Sequence, residues 1–370
     1  MFHWIYFITI FIIMILASNH ITKKREYKTA FKIICFILFL FAGFRYFTGA
    51  DYNPYLEIFR AVGAMPFLIE DVNNAIVEPT YIWICQISYI LDLQFIGVTA
   101  SIAAFSIYLK YKTIQNYSPY VFVSLLIYFS LYYFFEEYGH IRQGAALAIC
   151  FFSFRFIIKR KLIPFLICIY IAFFFHKSSV IFILAYFIAP LKINTRLAII
   201  LIIVSIITIP FELYNYIGIL TTLTAADSIN EGFNTYVDDQ TYGQVVEFSI
   251  LGDAFKLIQL ILIFSYDKLI YGKNKTYDYI RTITIFGYIL GFVFRGNEIF
   301  ATRLTVYYMF FIVLTFPLIL QQISPAQQRI YKNYLITFMF IFFIRLGLTI
   351  ERYNLNKFQN VLIDGNFRVE

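Results

Sequence analysis

Charge is scarce in this chain. Asp, Glu, Lys and Arg make up 14% of its 370 residues, where soluble proteins carry roughly 25%. So thin a polar complement excludes an ordinary soluble globular protein. Cysteine occurs four times. Cys35, Cys85, Cys150 and Cys168 all lie in apolar stretches, and none forms a Cys-x-x-Cys pair. That excludes a disulfide framework and a zinc ribbon, and leaves four small buried apolar residues. No His-Glu-x-x-His, no Gly-rich phosphate loop and no clustered metal ligands occur, so a zinc peptidase and a nucleotide-driven machine lack their motifs. Any energy must come from the substrate or an ion gradient. No repeat and no Ser/Gly-rich linker divides the chain, so residues 1–370 read as a single membrane domain.

What is present is hydrophobicity, 61% of the residues, spread from one end to the other. A helix of about 20 apolar residues crosses the hydrocarbon core. Backbone groups cannot go unpaired in lipid, and the apolar runs lack the alternation of barrel strands, so they must be helices. The expected class is an all-α polytopic membrane protein with about 12 spans. These lie near 2–18, 30–47, 93–109, 119–135, 142–158, 162–176, 178–190, 197–211, 253–267, 280–294, 301–320 and 333–350. The first run has the length of a signal sequence. It lacks a basic start and a small-residue cleavage site, and is read as a retained span.

The formal net charge of +8 does not point to nucleic acid. Most Lys and Arg residues fall in alternate short connections, among them Lys23, Lys24 and Arg25, Lys110 and Lys112, Lys159 to Lys161, and Lys273 and Lys275. By the positive-inside rule that side is cytoplasmic and both termini lie outside. The acids, not used for that assignment, agree: only Glu26, Asp267 and Asp278 fall on the basic side. Two large extracytoplasmic regions follow, at about 48–92 and 212–252. The first contains Glu78-Pro79 and an apolar stretch too short to span. Proline suits the first turn of a helix, so a short interfacial or re-entrant helix is expected there. The second holds Asp227, Glu231, Asp238, Asp239 and Glu247 and reads as a lid or binding loop.

Ionisable groups at outer span ends are the candidates for chemistry. Arg142 opens a helix in which Gly144 and Ala148 are small and four apart, so another helix can approach closely. The plain reading is packing with an arginine that snorkels to water. The functional reading is an anion clamp on a rigid helix, with Gln143 adding an amide donor. His176 and Lys177 sit in a very tight turn, which would position the imidazole. Arg303 and Tyr307 are four apart and would share a helix face. Arg345 lies inside the last span, where an arginine is a functional hypothesis by default. Arg45 and Asp51 bracket a short loop and read as a surface pair of little consequence. Glu136-Glu137 and Asp238-Asp239 read as solvated loop pairs, and outer tyrosines such as Tyr52 and Tyr55 as stacking surfaces for sugars.

These residues carry a resemblance. Phe44-Arg45-Tyr46-x3-Gly49-Ala50-Asp51-Tyr52-x2-Tyr55 resembles the early motif of the EpsG/Wzy-like polysaccharide polymerases. Glu78-Pro79 sits where that family often has an acid before an amphipathic helix. Ile141-Arg142-Gln143-Gly144-x-Ala146-Leu147-Ala148, then Lys159-Arg160-Lys161, then Phe175-His176-Lys177-Ser178-Ser179 is the most specific stretch. Arg303-Leu304-x2-Tyr307 resembles the late arginine motif. The resemblance covers roughly residues 40 to 320, and the loop after Phe211 matches nothing in it.

The resemblance implies a polymerase of O-antigen or capsule repeat units in the bacterial cytoplasmic (inner) membrane. Its donor and acceptor are oligosaccharides linked to undecaprenyl diphosphate. A chain-length regulator and a flippase are the expected companions, with the lipid bilayer itself. No cofactor, metal or nucleic acid is required. Arg142 and Arg303, with Arg45, would neutralise the diphosphate, since arginine stays protonated and offers two aligned donors. His176 would hold the diphosphate or deprotonate the acceptor hydroxyl, with Asp51 and Glu78 as rival bases. Gln143, Tyr307 and Arg345 complete the expected binding set. Two other classes compete. A flippase would place ionisable groups near the midplane and show inverted repeats, neither of which the sequence has. An O-antigen ligase would use the same donor with another acceptor.

Overall fold

The computed structural model describes residues 3–19, 24–65, 77–212, 250–297, 300–348 and 358–364. Most of loop 212–252, with Asp227, Glu231, Asp238, Asp239 and Glu247, lies outside the described residues, as do Lys23 and Glu298. The described residues are mainly helical, with no strand among them beyond one isolated bridge between Arg45 and Asn360. Three helical stretches are long and apolar enough to cross a membrane: Ile141–Ile158, Phe300–Gln322 and Pro325–Leu348. Other apolar helices are shorter, such as Trp4–Ser18 and Leu162–Phe175.

The chain divides into two compact units, one of Met1–Val180 with Phe316–Glu370, the other of Ile181–Thr315. The first holds α1 (Trp4–Ser18), α2 (Lys24–Gly43), α3 (Tyr52–Val62), α4 (Pro79–Ile90), α5 (Gln94–Tyr117), α6 (Val121–Leu131), α7 (Ile141–Ile158) and α8 (Leu162–Phe175). Later in the chain come α14 (Ile312–Gln322) and α15 (Pro325–Leu348), and α15 packs on α1 and α6. Lys332 Nζ donates to the Ser18 carbonyl at 2.6 Å, tying the start of α15 to the end of α1. In the middle, α7 packs against both α5 and α8, and α2 against α5.

The sequence explains several of these elements locally. Pro79 takes the first position of α4 and Glu78 its N-cap, where a missing N–H costs nothing. The expected short helix is therefore present, and its 12 residues rise about 18 Å, too little for a span. At the end of α8, His176 is a single extended residue (φ −159°, ψ 119°) between that helix and a 3-10 helix Lys177–Ile183. The tight turn read from the sequence is thus observed.

Between α6 and α7 the chain forms a π-helical turn, Phe134–Gly139. Glu136 and Glu137 belong to it and are buried, so the expectation of a solvated loop pair is overturned. Lys110 is likewise no loop residue. Helix α5 runs on past it to Tyr117, and its ammonium forms an ion pair with Glu137 in which both side chains are 1% exposed. Ser106 Oγ, 3.2 Å away, and Tyr128 OH, 2.7 Å away, donate to the same carboxylate. A buried carboxylate is tolerated only when paired and hydrogen-bonded, and this one has an opposite charge and two hydroxyls.

Arg45 grips the same turn from the other side. Its guanidinium is fully buried and Nη1 donates to the carbonyls of Glu137 (2.7 Å) and Ala42 (3.1 Å). Nε and Nη2 make no hydrogen bond among the described residues. The rings of Tyr52 and Tyr138 lie 5.8 and 5.5 Å from the charge, within cation–π range. The surface pair of Arg45 with Asp51 is not formed: the turn has drawn the arginine inward. Gly49, at φ +109°, lies against the Tyr138 carbonyl, 2.3 Å from where a Cβ would stand. Gly144 does the same on Glu136, where a Cβ would lie 2.1 Å from the carbonyl oxygen. The close approach expected at Gly144 is real, and its partner is this turn.

The second unit contains α9 (Leu184–Ile188), α10 (Thr195–Ile207), α11 (Ile250–Ile270), α12 (Lys275–Val293), a π-helical turn Phe300–Leu304 and α13 (Val306–Met309). Its centre is a buried ion pair. Arg281 donates to both carboxylate oxygens of Asp267, at 2.6 and 2.5 Å, and to the Ile193 carbonyl at 2.7 Å. Thr195 and Tyr277 hydroxyls add 2.7 and 2.9 Å bonds to the same carboxylate. One acid thereby joins α10, α11 and α12.

Two single variants and one double variant test the buried turn, with thermal unfolding of purified protein in detergent as the measurement. Lys110→Met leaves Glu137 uncompensated and should cost about 3–5 kcal/mol, most of it recovered in Lys110→Met/Glu137→Leu. Gly144→Ala should cost about 1–3 kcal/mol or more, because the obstacle is backbone and cannot rotate aside. Wild-type melting in either single variant would refute this packing.

A candidate active site around Arg142

Helices α3, α4 and α7 converge through a core that includes Tyr55, Leu56, Phe59, Tyr81, Ile82, Phe95, Ile141 and Ala145. Arg142 stands at the start of α7 beside this core. Its Nη1 forms an ion pair with Glu78 Oε2, the side chains being 21% and 9% exposed. Nε reaches Tyr55 OH at 3.5 Å. The charge lies 5.4 Å from the Tyr55 ring and 5.8 Å from the Tyr81 ring. Tyr81 OH donates to the Tyr55 carbonyl at 3.1 Å, which locks the two rings as walls. The guanidinium is held by an acid and two aromatic rings, yet stays partly open to solvent.

Glu78 explains why. As N-cap of α4 it makes no capping bond to its own helix. One oxygen goes to Arg142, and the other accepts from the backbone N–H of Lys177 at 3.2 Å. The carboxylate therefore links α7 to the turn that carries His176. In that turn His176 Nδ1 meets Ser178 Oγ at 2.7 Å, which orients the ring. Burial pushes the phenols of Tyr55 and Tyr81 up, Tyr55 in spite of the nearby arginine charge. Both stay protonated and neutral at physiological pH, so they stack and hydrogen-bond but do not titrate.

Three of the residues expected from the sequence are thus joined: Arg142 to Glu78, and Glu78 to the His176 turn. Others stand apart. Arg45 is sealed from solvent, with Nη1 on two backbone carbonyls. Gln143 is buried, as its place about 100° around the helix from Arg142 requires. Asp51 precedes α3 with a half-buried side chain that makes no capping bond. Arg345 lies on α15 with its charge 5.9 Å from the Phe342 ring. Arg303 and Tyr307 belong to the second unit. Arg303 lies in the π turn and is half-buried, while Tyr307 is fully buried. The single regular helix face expected for them is interrupted by that turn. Tyr81 went unnoticed in the sequence; its place three residues after Glu78, one turn into α4, was the available signal. Among the described residues no three His, Cys, Asp or Glu side chains gather as a metal site.

The model of the EpsG family matches residues 28–360. No curated protein and no solved structure matches the chain.

A double-mutant cycle tests the central pair. Arg142→Ala and Glu78→Ala, measured singly and together by unfolding in detergent, should show a coupling of about 1–3 kcal/mol. Strict additivity would mean the pair is not formed.

Proposed function

Because this chain belongs to the EpsG family, the family of Wzy-like polymerases, we propose that it is a Wzy-type glycosyltransferase of O-antigen or capsule biosynthesis. It moves a growing glycan from undecaprenyl diphosphate onto a lipid-linked repeat unit at the outer face of the cytoplasmic membrane. The observation that carries this reading is Arg142, a partly open guanidinium braced by Glu78 between two tyrosine rings.

In the reaction the bond from the anomeric carbon to the diphosphate oxygen breaks, and its electron pair leaves with the diphosphate. The acceptor hydroxyl oxygen bonds to that carbon, and its proton goes to a base. Arg142 stabilises the charge that builds on the diphosphate. Its bonds among the described residues engage Nη1 and Nε, and the group has five N–H donors. Because it is oriented before the substrate arrives, little reorganisation is needed at the moment of reaction. Glu78 already accepts from Arg142 and from the Lys177 N–H, and in this scheme it holds the arginine while another group collects the proton. His176, oriented by Ser178, takes the proton in this scheme, with Asp51 as the alternative base. Arg303, Tyr307 and Arg345 remain the proposed further contacts to the anion and glycan. The proposed topology has about 12 spans, both termini outside, and extracytoplasmic regions near 48–92 and 212–252. A chain-length regulator and a flippase would work beside it.

The test is gel analysis of surface polysaccharide from cells lacking the protein, complemented with wild type or Arg142→Ala at matched membrane levels. Wild type should restore the ladder. Arg142→Ala should cut the polymerisation rate by about 10²–10³-fold, the usual cost of losing one oriented donor to a developing anion. A ladder that persists without the protein would refute the polymerase reading. A repeat unit that never reaches the outer surface would favour a flippase, and finished polymer left unattached to its lipid core would favour a ligase.

A further inference from the structure

The turn between α4 and α5 is strained beyond what a connection needs. Asp92 and Gln94 both hold positive φ, 52° and 57°. Aspartate tolerates the left-handed region, but a longer unbranched side chain gains nothing there, and glycine would sit at 94 without strain. Ser88 fixes this path: its hydroxyl donates to the Gln94 carbonyl at 2.6 Å and its carbonyl accepts from Leu93 N–H at 2.9 Å. Gly97 lets α5 lie against it, since a Cβ there would stand 2.1 Å from Ser88 Oγ. The result is a pair of presented side chains, with Gln94 Nε2 donating to Asp92 Oδ1 at 2.8 Å.

Beside this pair lies a cavity of about 370 Å³ lined by Phe59, Tyr89, Asp92 and Gln94, within the range of small-molecule sites, about 300–1,000 Å³. The Phe59 and Tyr89 rings are 6.4 Å apart and inclined by 57°. Phe59 is buried and Tyr89 is 53% exposed, so one ring is a fixed wall and the other an open platform. An aromatic face beside a joined carboxylate and carboxamide suits a sugar ring. The C–H face of the sugar packs on the negative π face. Neighbouring hydroxyls donate to the carboxylate and exchange bonds with the amide. A phosphate would be repelled by Asp92. The place is also apt. Glu78, which braces Arg142, is the N-cap of α4, and Tyr89 lies eleven residues on, on the order of 16 Å along the axis.

We infer that the cavity formed by Phe59, Tyr89, Asp92 and Gln94 is a glycan subsite that holds one sugar ring of the lipid-linked oligosaccharide, away from its reacting end. The assignment of this ligand rests on the polymerase reading above. A glycan with its diphosphate at Arg142 would run along α4 to reach the cavity. The strain at Gln94 is then retained because the side chain, and not the turn, is what the site needs.

The test uses full-length protein purified in detergent and the repeat-unit oligosaccharide released from its lipid by mild acid, with binding read by saturation-transfer NMR. Gln94→Gly and Tyr89→Ala should each weaken binding about tenfold, and Tyr89→Phe should restore it. Gln94→Gly relieves strain, so its melting temperature should equal or exceed that of wild type. In polymerisation with lipid-linked repeat units, the loss should appear in the half-saturating concentration, the mark of a removed binding contact. Wild-type binding in Gln94→Gly and Tyr89→Ala would overturn the subsite, and so would a Gln94→Gly protein that melts lower in step with its loss of binding. Failure of wild type to bind the oligosaccharide would also overturn it. Wild type that binds but never polymerises would leave the subsite standing and sink the polymerase reading instead.

Discussion

Glu137 is held by two cations from separate segments, Lys110 within α5 and Arg45 just past the end of α2. Lys110 pairs with its carboxylate and Arg45 takes its carbonyl. Both contacts are fully buried, where an unpaired charge or carbonyl would be costly. The turn from α6 into α7 therefore has little freedom, and the π-helical geometry of Phe134–Gly139 persists because its surroundings fix it. Gly144 seats the first turn of α7 directly on the Glu136 backbone. The position of Arg142 follows from that seat, since it lies two residues before the glycine on the same helix.

From the other side Glu78 completes the placement. A helix-capping residue that declines to cap its own helix, and reaches instead to an arginine and to a backbone N–H of a separate turn, ties three segments far apart in the chain. The tyrosine walls add orientation without adding titratable behaviour at physiological pH. This is how a partly open cation can be kept rigid at the end of an apolar helix: its stem is packed, one donor edge is committed, and the rest stays uncommitted.

Some of this was legible beforehand. Glu78-Pro79 announced the start of α4, because proline fixes the backbone that a first helical turn requires. The shortness of the connection around His176 announced a constrained turn. Gly144 and Ala148 announced a close contact. Other features were not legible. Lys110 and Lys112 looked like cytoplasmic loop residues, because a charge after an apolar run is the ordinary mark of a span end; nothing nearby in the sequence revealed a carboxylate 27 residues away, at Glu137, able to draw Lys110 inside. Arg45 and Asp51 looked like a surface pair because they are close in sequence, yet the buried carbonyl of Glu137, 92 residues away, claimed the arginine.

The sequence by itself determined the class of the protein, an all-helical membrane chain, and which ionisable residue types it carries at its helix ends. Hydropathy and helix-capping chemistry are local, so they can be read one segment at a time. Only the tertiary structure decided which arginine is open and which is sealed, which acid braces and which is buried. Those outcomes depend on pairings between segments brought together by packing, and the cost of leaving a buried charge unpaired settles them only once the partners are in place.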